Sequence, residues 1–168
     1  MKVALHYINT YIWIMVNIDI TPQTHVRTTQ GDRIYFRIPR DKLRAAGLAR
    51  LKRIERYNQY KVDLLSLCRA AKFELPCQGL CIYYYIPVPK SWSKKKKKAM
   101  HGTLHQSTPD IDNLVKATFD SITNEDKYVG HLGEICKRWV NFEKGWIEFD
   151  IKEPVLKEIP SFLERELK

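Results

Sequence analysis

The run Gln78 to Pro87, QGLCIYYYIP, limits the fold most tightly. It carries no charge, is dense in aromatic and apolar side chains and ends at a proline, which reads as a buried strand. Leu80, Ile82, Tyr84 and Ile86 alternate onto one face. Such a strand needs sheet neighbours at its edges and a cover over its apolar face. Residues 11–20, YIWIMVNIDI, supply a second strand ending before Thr21-Pro22, and Ile34 to Ile38 a short third, paired with it and stopped by Pro39. Val129 to Val140 and Gly145 to Ile151 read as a β-hairpin turning at Glu143-Lys144-Gly145.

The cover is helical. From Asp41, a candidate N-cap, to about Lys72, residues Leu51, Ile54, Tyr57, Leu64, Leu65, Cys68 and Ala71 recur at helical spacing. Gly47 allows a break into two helices. Lys52, Arg53, Arg56, Lys61 and Arg69 cover other directions and suit either DNA or solvent. Asp112 to Ile122 is a second helix, and residues 155–168, with Leu156, Ile159, Phe162, Leu163 and Leu167, a third. The expectation is an α+β fold, a mixed β-sheet with flanking helices, in one domain over residues 1–168. The sequence leaves open whether residues 1–10 are an ordered part of that domain or a loosely ordered extension.

Net charge of +10, from 29 basic against 19 acidic side chains, selects polyanionic partners, nucleic acid before an anionic membrane. Asn9, Thr10, Asn17 and Asp19 interrupt the apolar N-terminus, which therefore does not read as a membrane span, and it has no signal-peptide cleavage pattern. The expected setting is cytoplasmic, where Cys68, Cys77, Cys81 and Cys136 stay reduced. Cys77 and Cys81 are four apart with no second close pair to complete a zinc site, and Cys81 reads as a core residue.

Residues 88–108 read as a basic, DNA-facing loop, starting as a mobile loop or short helix and ending extended at Thr108-Pro109. From Lys90 to Thr108 there are six lysines, two histidines and no acid, and the five consecutive lysines Lys94, Lys95, Lys96, Lys97 and Lys98 must be solvated or face phosphates. These five, His105, and Arg27 in the polar loop Thr21–Arg33 are the candidate nucleic-acid contacts.

Immediately after this basic stretch the sign reverses. TPDIDNLVKATFDSITNED, residues 108–126, holds five carboxylates and one lysine. Asp112, Lys116 and Asp120 are four apart, one row on a helix whose other side carries Leu114, Val115, Phe119 and Ile122. Asp110 lies two residues earlier in an extended approach after Pro109, so it and Asp112 can converge at the helix N-terminus. Two convergent carboxylates suit Mg2+ (or Mn2+), which accepts phosphate oxygens beside them, polarises the scissile phosphate and activates water. Lys116 would neutralise developing charge. A third acid, Glu125 or Asp126, has to return to the same cleft. The bland alternative is an N-capped surface helix with Asp–Lys–Asp pairing, as in a non-catalytic DNA-binding accessory protein. A second pattern, Pro109-Asp110 followed by Glu125-Asp126-Lys127, fits the loose PD-(D/E)xK signature of metal nucleases. It would use Asp110, Glu125 and Lys127, with its second half on a strand.

Asp110-Ile-Asp112-Asn113-Leu-Val-Lys116, then Phe119-Asp120, then Glu125-Asp126, resembles the RusA-type Holliday junction resolvases. The preceding SWSKKKKKAMHGTLHQ is similar to the basic lead-in of phage-type members, and Lys137 and Trp139 to the strand after the last acid. Most of the chain takes part, but the specificity rests on residues 109–126. The resemblance implies a homodimeric, magnesium-dependent endonuclease that nicks two strands of a four-way junction symmetrically in recombination and repair, and a bacterial or prophage setting. It implies Asp110, Asp112 and Asp126 as metal-binding catalytic acids, Lys116 as the catalytic lysine and Asp120 in a supporting role. Thr108 stands where the family commonly has a basic residue, and the short link after Asp120 leaves Glu125 and Asp126 both open as third acid.

Overall fold

A computed structural model describes residues 3–8, 11–123, 127 and 129–152. The strands are β1 (Val3–Ile8), β2 (Tyr11–Ile18), β3 (Leu80–Pro87), β4 (Leu132–Val140) and β5 (Trp146–Ile151). The helices are α1 (Ala45–Ala70), α2 (Lys94–Met100) and α3 (Ile111–Ile122), with 3-10 turns at Gln30–Phe36 and Arg40–Lys42. The five strands form one sheet in the order β1-β2-β5-β3-β4. All neighbours are antiparallel except β3 and β4, which are parallel and joined through α2 and α3. This is the expected α+β, mixed-sheet class.

β3 takes the place its composition demands. It pairs on both sides, Ile82 lying opposite Phe149 of β5 and Ile135 of β4. Leu80, Ile82 and Tyr84 are fully buried with Val16, Ile18, Ile147 and Phe149, under Ile54, Tyr57, Leu64 and Cys68 of α1 and Leu114 and Ala117 of α3. Cys81 is buried as expected.

Three local expectations change. β4 and β5 are not a hairpin, because β3 lies between them. The reason shows at Gly145, where a Cβ would stand 2.1 Å from the Tyr85 carbonyl oxygen. Only glycine lets the chain cross so close and deliver Trp146 opposite Tyr85. Ile34 to Ile38 is not a strand. Asp32 is buried, takes two hydrogen bonds from Arg50 at 2.9 Å each and accepts from Thr29 N–H at 2.7 Å, which winds this segment into a 3-10 turn and leaves Ile34 and Phe36 exposed. α1 is one helix that starts after Arg44, not at Asp41; Gly47 sits in its first turn, where a Cβ would stand 3.0 Å from the Tyr35 ring. Residues 3–8 form an edge strand on β2. The expected helix over 155–168 lies outside the described residues. None of the described helices is long and apolar enough to cross a membrane.

Candidate active site

α3 is fastened from behind. Thr118 is fully buried, donates to the Leu114 carbonyl at 2.9 Å and shares a 3.0 Å hydrogen bond with the Tyr84 hydroxyl of β3. With Leu114 and Ala117 also buried, the opposite row of Asp112, Lys116 and Asp120 is turned outward. The approach to the helix is fastened from the side. Lys137 of β4 donates to the carbonyls of Ser107 at 2.6 Å and Pro109 at 2.5 Å. Residues 102–105 also run along the free edge of β4, with hydrogen bonds from Gly102 N–H to Trp139 O, Trp139 N–H to Thr103 O and His105 N–H to Lys137 O.

Asp110 is therefore delivered to the N-cap position in extended backbone, φ −71° and ψ 148°, yet its side chain makes no capping hydrogen bond. Asp112, in the first turn, is exposed like Asp110. No described side chain or N–H pairs with either carboxylate. Two hard oxygen donors left open beside a helix N-terminus fit a magnesium-type ion, which binds through one or two carboxylates and keeps water for its remaining positions. Asp126 and Glu125 lie outside the described residues. Lys127, the third member of the PD-(D/E)xK pattern, lies ahead of β4 and not on that strand.

Lys116, with its side chain 56% exposed, stands between two cavities. One, of about 580 Å³, is walled by Ile111, Asp112, Val115, Phe119 and Ile135. The other, of about 470 Å³, brings Arg27 and His25 together with Lys116 and Asp120 and with Tyr57, Asn58 and Lys61 of α1. Lys116 Nζ is 3.7 Å from Asp120 Oδ1, and His25 Nε2 is 3.3 Å from Asp120 Oδ2. Burial holds the His25 pKa below its ordinary value, assisted by Lys116, Lys61 and Arg27 against the opposing pull of Asp120, so the imidazole is neutral at pH 7. His25 N–H donates to the Asn113 carbonyl at 3.1 Å and ties this loop to the start of α3. His25, Tyr57, Asn58 and Lys61 were not singled out as site residues from sequence; only the basic side of α1 hinted at Lys61.

The lysine run is the helix α2. Ser93 Oγ caps it by accepting from Lys96 N–H at 3.3 Å. Lys96 Nζ lies 4.0 Å over the Trp92 ring and Lys97 Nζ donates to Lys90 O at 3.0 Å, while Lys94, Lys95 and Lys98 are exposed. None of the five lines either cavity. His105 does not present its ring to a polyanion: it is 3% exposed and packs at 3.7 Å on Trp139. Pairing of residues 102–105 with β4 turns it inward, so it seats the basic segment on the sheet and is removed from the DNA-contacting set.

The family model described as Endodeoxyribonuclease RusA matches residues 37–129, a little over half of the chain. Asp110, Asp112, Lys116 and Asp120 fall within the match, whereas His25 and Arg27 precede it and β4 and β5 follow it. No curated protein matches the chain.

Proposed function

The chain belongs to the RusA endodeoxyribonuclease family, and from that premise we propose that it is a metal-dependent endonuclease that resolves four-way DNA junctions by paired, symmetric nicks. The observation that carries this reading is the pair Asp110 and Asp112, open at the start of α3 and uncapped, with Lys116 one turn further along. A helix-capping role would consume the Asp110 carboxylate; it makes no capping hydrogen bond and pairs with no donor among the described residues.

Asp110 and Asp112 would hold Mg2+ or Mn2+, with Asp126 or Glu125 as a third acid. The ion, when bound, supplies Lewis-acid polarisation of the scissile phosphate and a more acidic water. The chain's own residues do the rest. Lys116 offers its ammonium to the charge that develops on phosphate oxygens in the transition state. Asp120 restrains that lysine from one turn below. Lys137 fixes the carbonyls on either side of Thr108 and so the direction from which Asp110 enters. A two-fold junction calls for a homodimer, whose isologous arrangement presents two equivalent sites.

The test is incubation of pure protein with a labelled four-way junction and a linear duplex, with magnesium or manganese or with EDTA. Symmetric junction nicks that need metal are expected. Tight binding without cutting in either metal identifies a non-catalytic DNA-binding protein, and equal cutting of duplex identifies a general nuclease.

A further inference from the structure

The cavity of about 470 Å³ behind Lys116 contains more positive charge than a helix surface needs. Three elements meet there, the loop at His25–Thr28, the α1 turn at Tyr57–Lys61, and the middle of α3, and each contributes a cation: Arg27, Lys61 and Lys116. Against these three stands one lining carboxylate, Asp120, already in contact with Lys116 and His25. The convergence is built. Arg50 donates to the Arg27 carbonyl at 2.6 Å while held by buried Asp32, and His25 N–H is bonded to Asn113 O.

We propose that this cavity is a second phosphodiester site, seating a backbone phosphate of the cut strand next to the scissile phosphate that a metal ion bound by Asp110 and Asp112 would receive. The inference rests on the nuclease reading above. Along α3, Asp112, Lys116 and Asp120 follow one another at roughly 6 Å per step, so the cavity lies within a few nucleotides of the scissile position. A phosphodiester carries a single charge and only acceptor oxygens. Arg27 presents a planar fork of donors, Lys61 a compact ammonium and Asn58 an amide, which suits that chemistry and reads no base. Asp120 engages Lys116 and His25, which leaves Arg27 and Lys61 for the ligand.

The experiment measures junction binding by the full chain in EDTA. It compares wild type, Arg27→Gln, Lys61→Gln and the charge-conserving Lys61→Arg, each against junctions carrying one neutral methylphosphonate at successive positions flanking the nick. One position is expected to weaken wild-type binding about tenfold and to weaken Arg27→Gln and Lys61→Gln no further. The same two variants lower the slope of log affinity against log salt by about one, Lys61→Arg retains it, and all melt like wild type. Additive losses at every methylphosphonate position overturn the proposal. Additivity alongside normal metal-dependent cutting removes the phosphate site alone. Coupling without any cutting in magnesium or manganese removes the nuclease reading and leaves the site, and failure of wild type to bind DNA removes both.

Discussion

Asp32 and the pair Asp110–Asp112 are carboxylates at the start of helical turns in the same basic protein, and they have opposite surroundings. Asp32 is 5% exposed, gripped by both arms of Arg50 and by Thr29, and its carboxyl is held well below the ordinary range, chiefly by the Arg50 hydrogen bonds. Asp110 and Asp112 are exposed and paired with no described donor. The first arrangement spends all of its acceptor capacity on the protein and ties residue 50 to residues 27–32. The second spends none and keeps it for something that arrives. Donor count, rather than position at a helix end, separates an acid that builds the fold from one available for chemistry.

The sharpest way to break the comparison is to neutralise one acid of each kind. Asp112→Asn should lower junction cutting on the order of 10²–10³-fold, with junction affinity and melting temperature unchanged. Loss of binding or of stability in step with cutting would make Asp112 a second Asp32, and the open-site reading would fail.

A smaller effect is expected where the protein aims the open acids. Lys137→Met removes the only described side-chain donor to the Ser107 and Pro109 carbonyls. Cutting should fall roughly 10–100-fold through misplacement of Asp110, mostly in turnover, while affinity in EDTA changes little. An equal loss of affinity would instead make Lys137 a phosphate contact.

Asp32→Asn should show the reverse profile: a melting temperature several degrees lower, with cutting affected only by the few-fold that follows from loosening Arg27. Its pH dependence has a definite sign. Because folding depresses the carboxyl's pKa, the stabilisation is complete at neutral pH and fades as pH drops below the unfolded value of about 3.9. Wild type should therefore lose melting temperature below that point more steeply than Asp32→Asn. Parallel curves would mean that the Asp32–Arg50 pair does not supply the difference.

The same contrast explains which parts of the molecule were legible in sequence. β3 and α3 could be read because their signals are local: alternation in LCIYYYIP, and a four-residue spacing from Asp112 to Asp120 opposite Leu114 and Phe119. What failed depends on partners distant in the chain. Ile34–Ile38 has strand-like residues, but Arg50 reaches back to Asp32 and winds the segment. β4 and β5 are adjacent in sequence, but β3 is apolar enough to need a neighbour on each edge, and Gly145 lets β5 cross to it. His105 looked like part of a basic loop until pairing with Lys137 and Trp139 turned it inward. The cavity at His25 depends on a loop-to-helix hydrogen bond spanning residues 25 and 113, which no periodicity records.

The lysine run gives the mildest test, and it sharpens the contrast from the basic side. Lys96 and Lys97 are engaged with Trp92 and the Lys90 carbonyl, whereas Lys94, Lys95 and Lys98 are exposed on α2 and line neither cavity. A solvated lysine that faces a phosphate contributes through counterion release, so its loss acts on every sequence alike. Lys95→Gln should weaken junction binding only a few-fold, reduce the salt slope by at most about one, and leave turnover at saturating DNA unchanged. Lys96→Gln would lose its contact over Trp92 as well and should therefore also lower the melting temperature slightly. If both variants bind and melt like wild type, α2 is a solvated face and the DNA path runs through the Arg27 side alone. If Lys95→Gln lowers turnover without touching affinity, α2 reaches the reacting strand, and the division between positioning charge and open acids has to be redrawn.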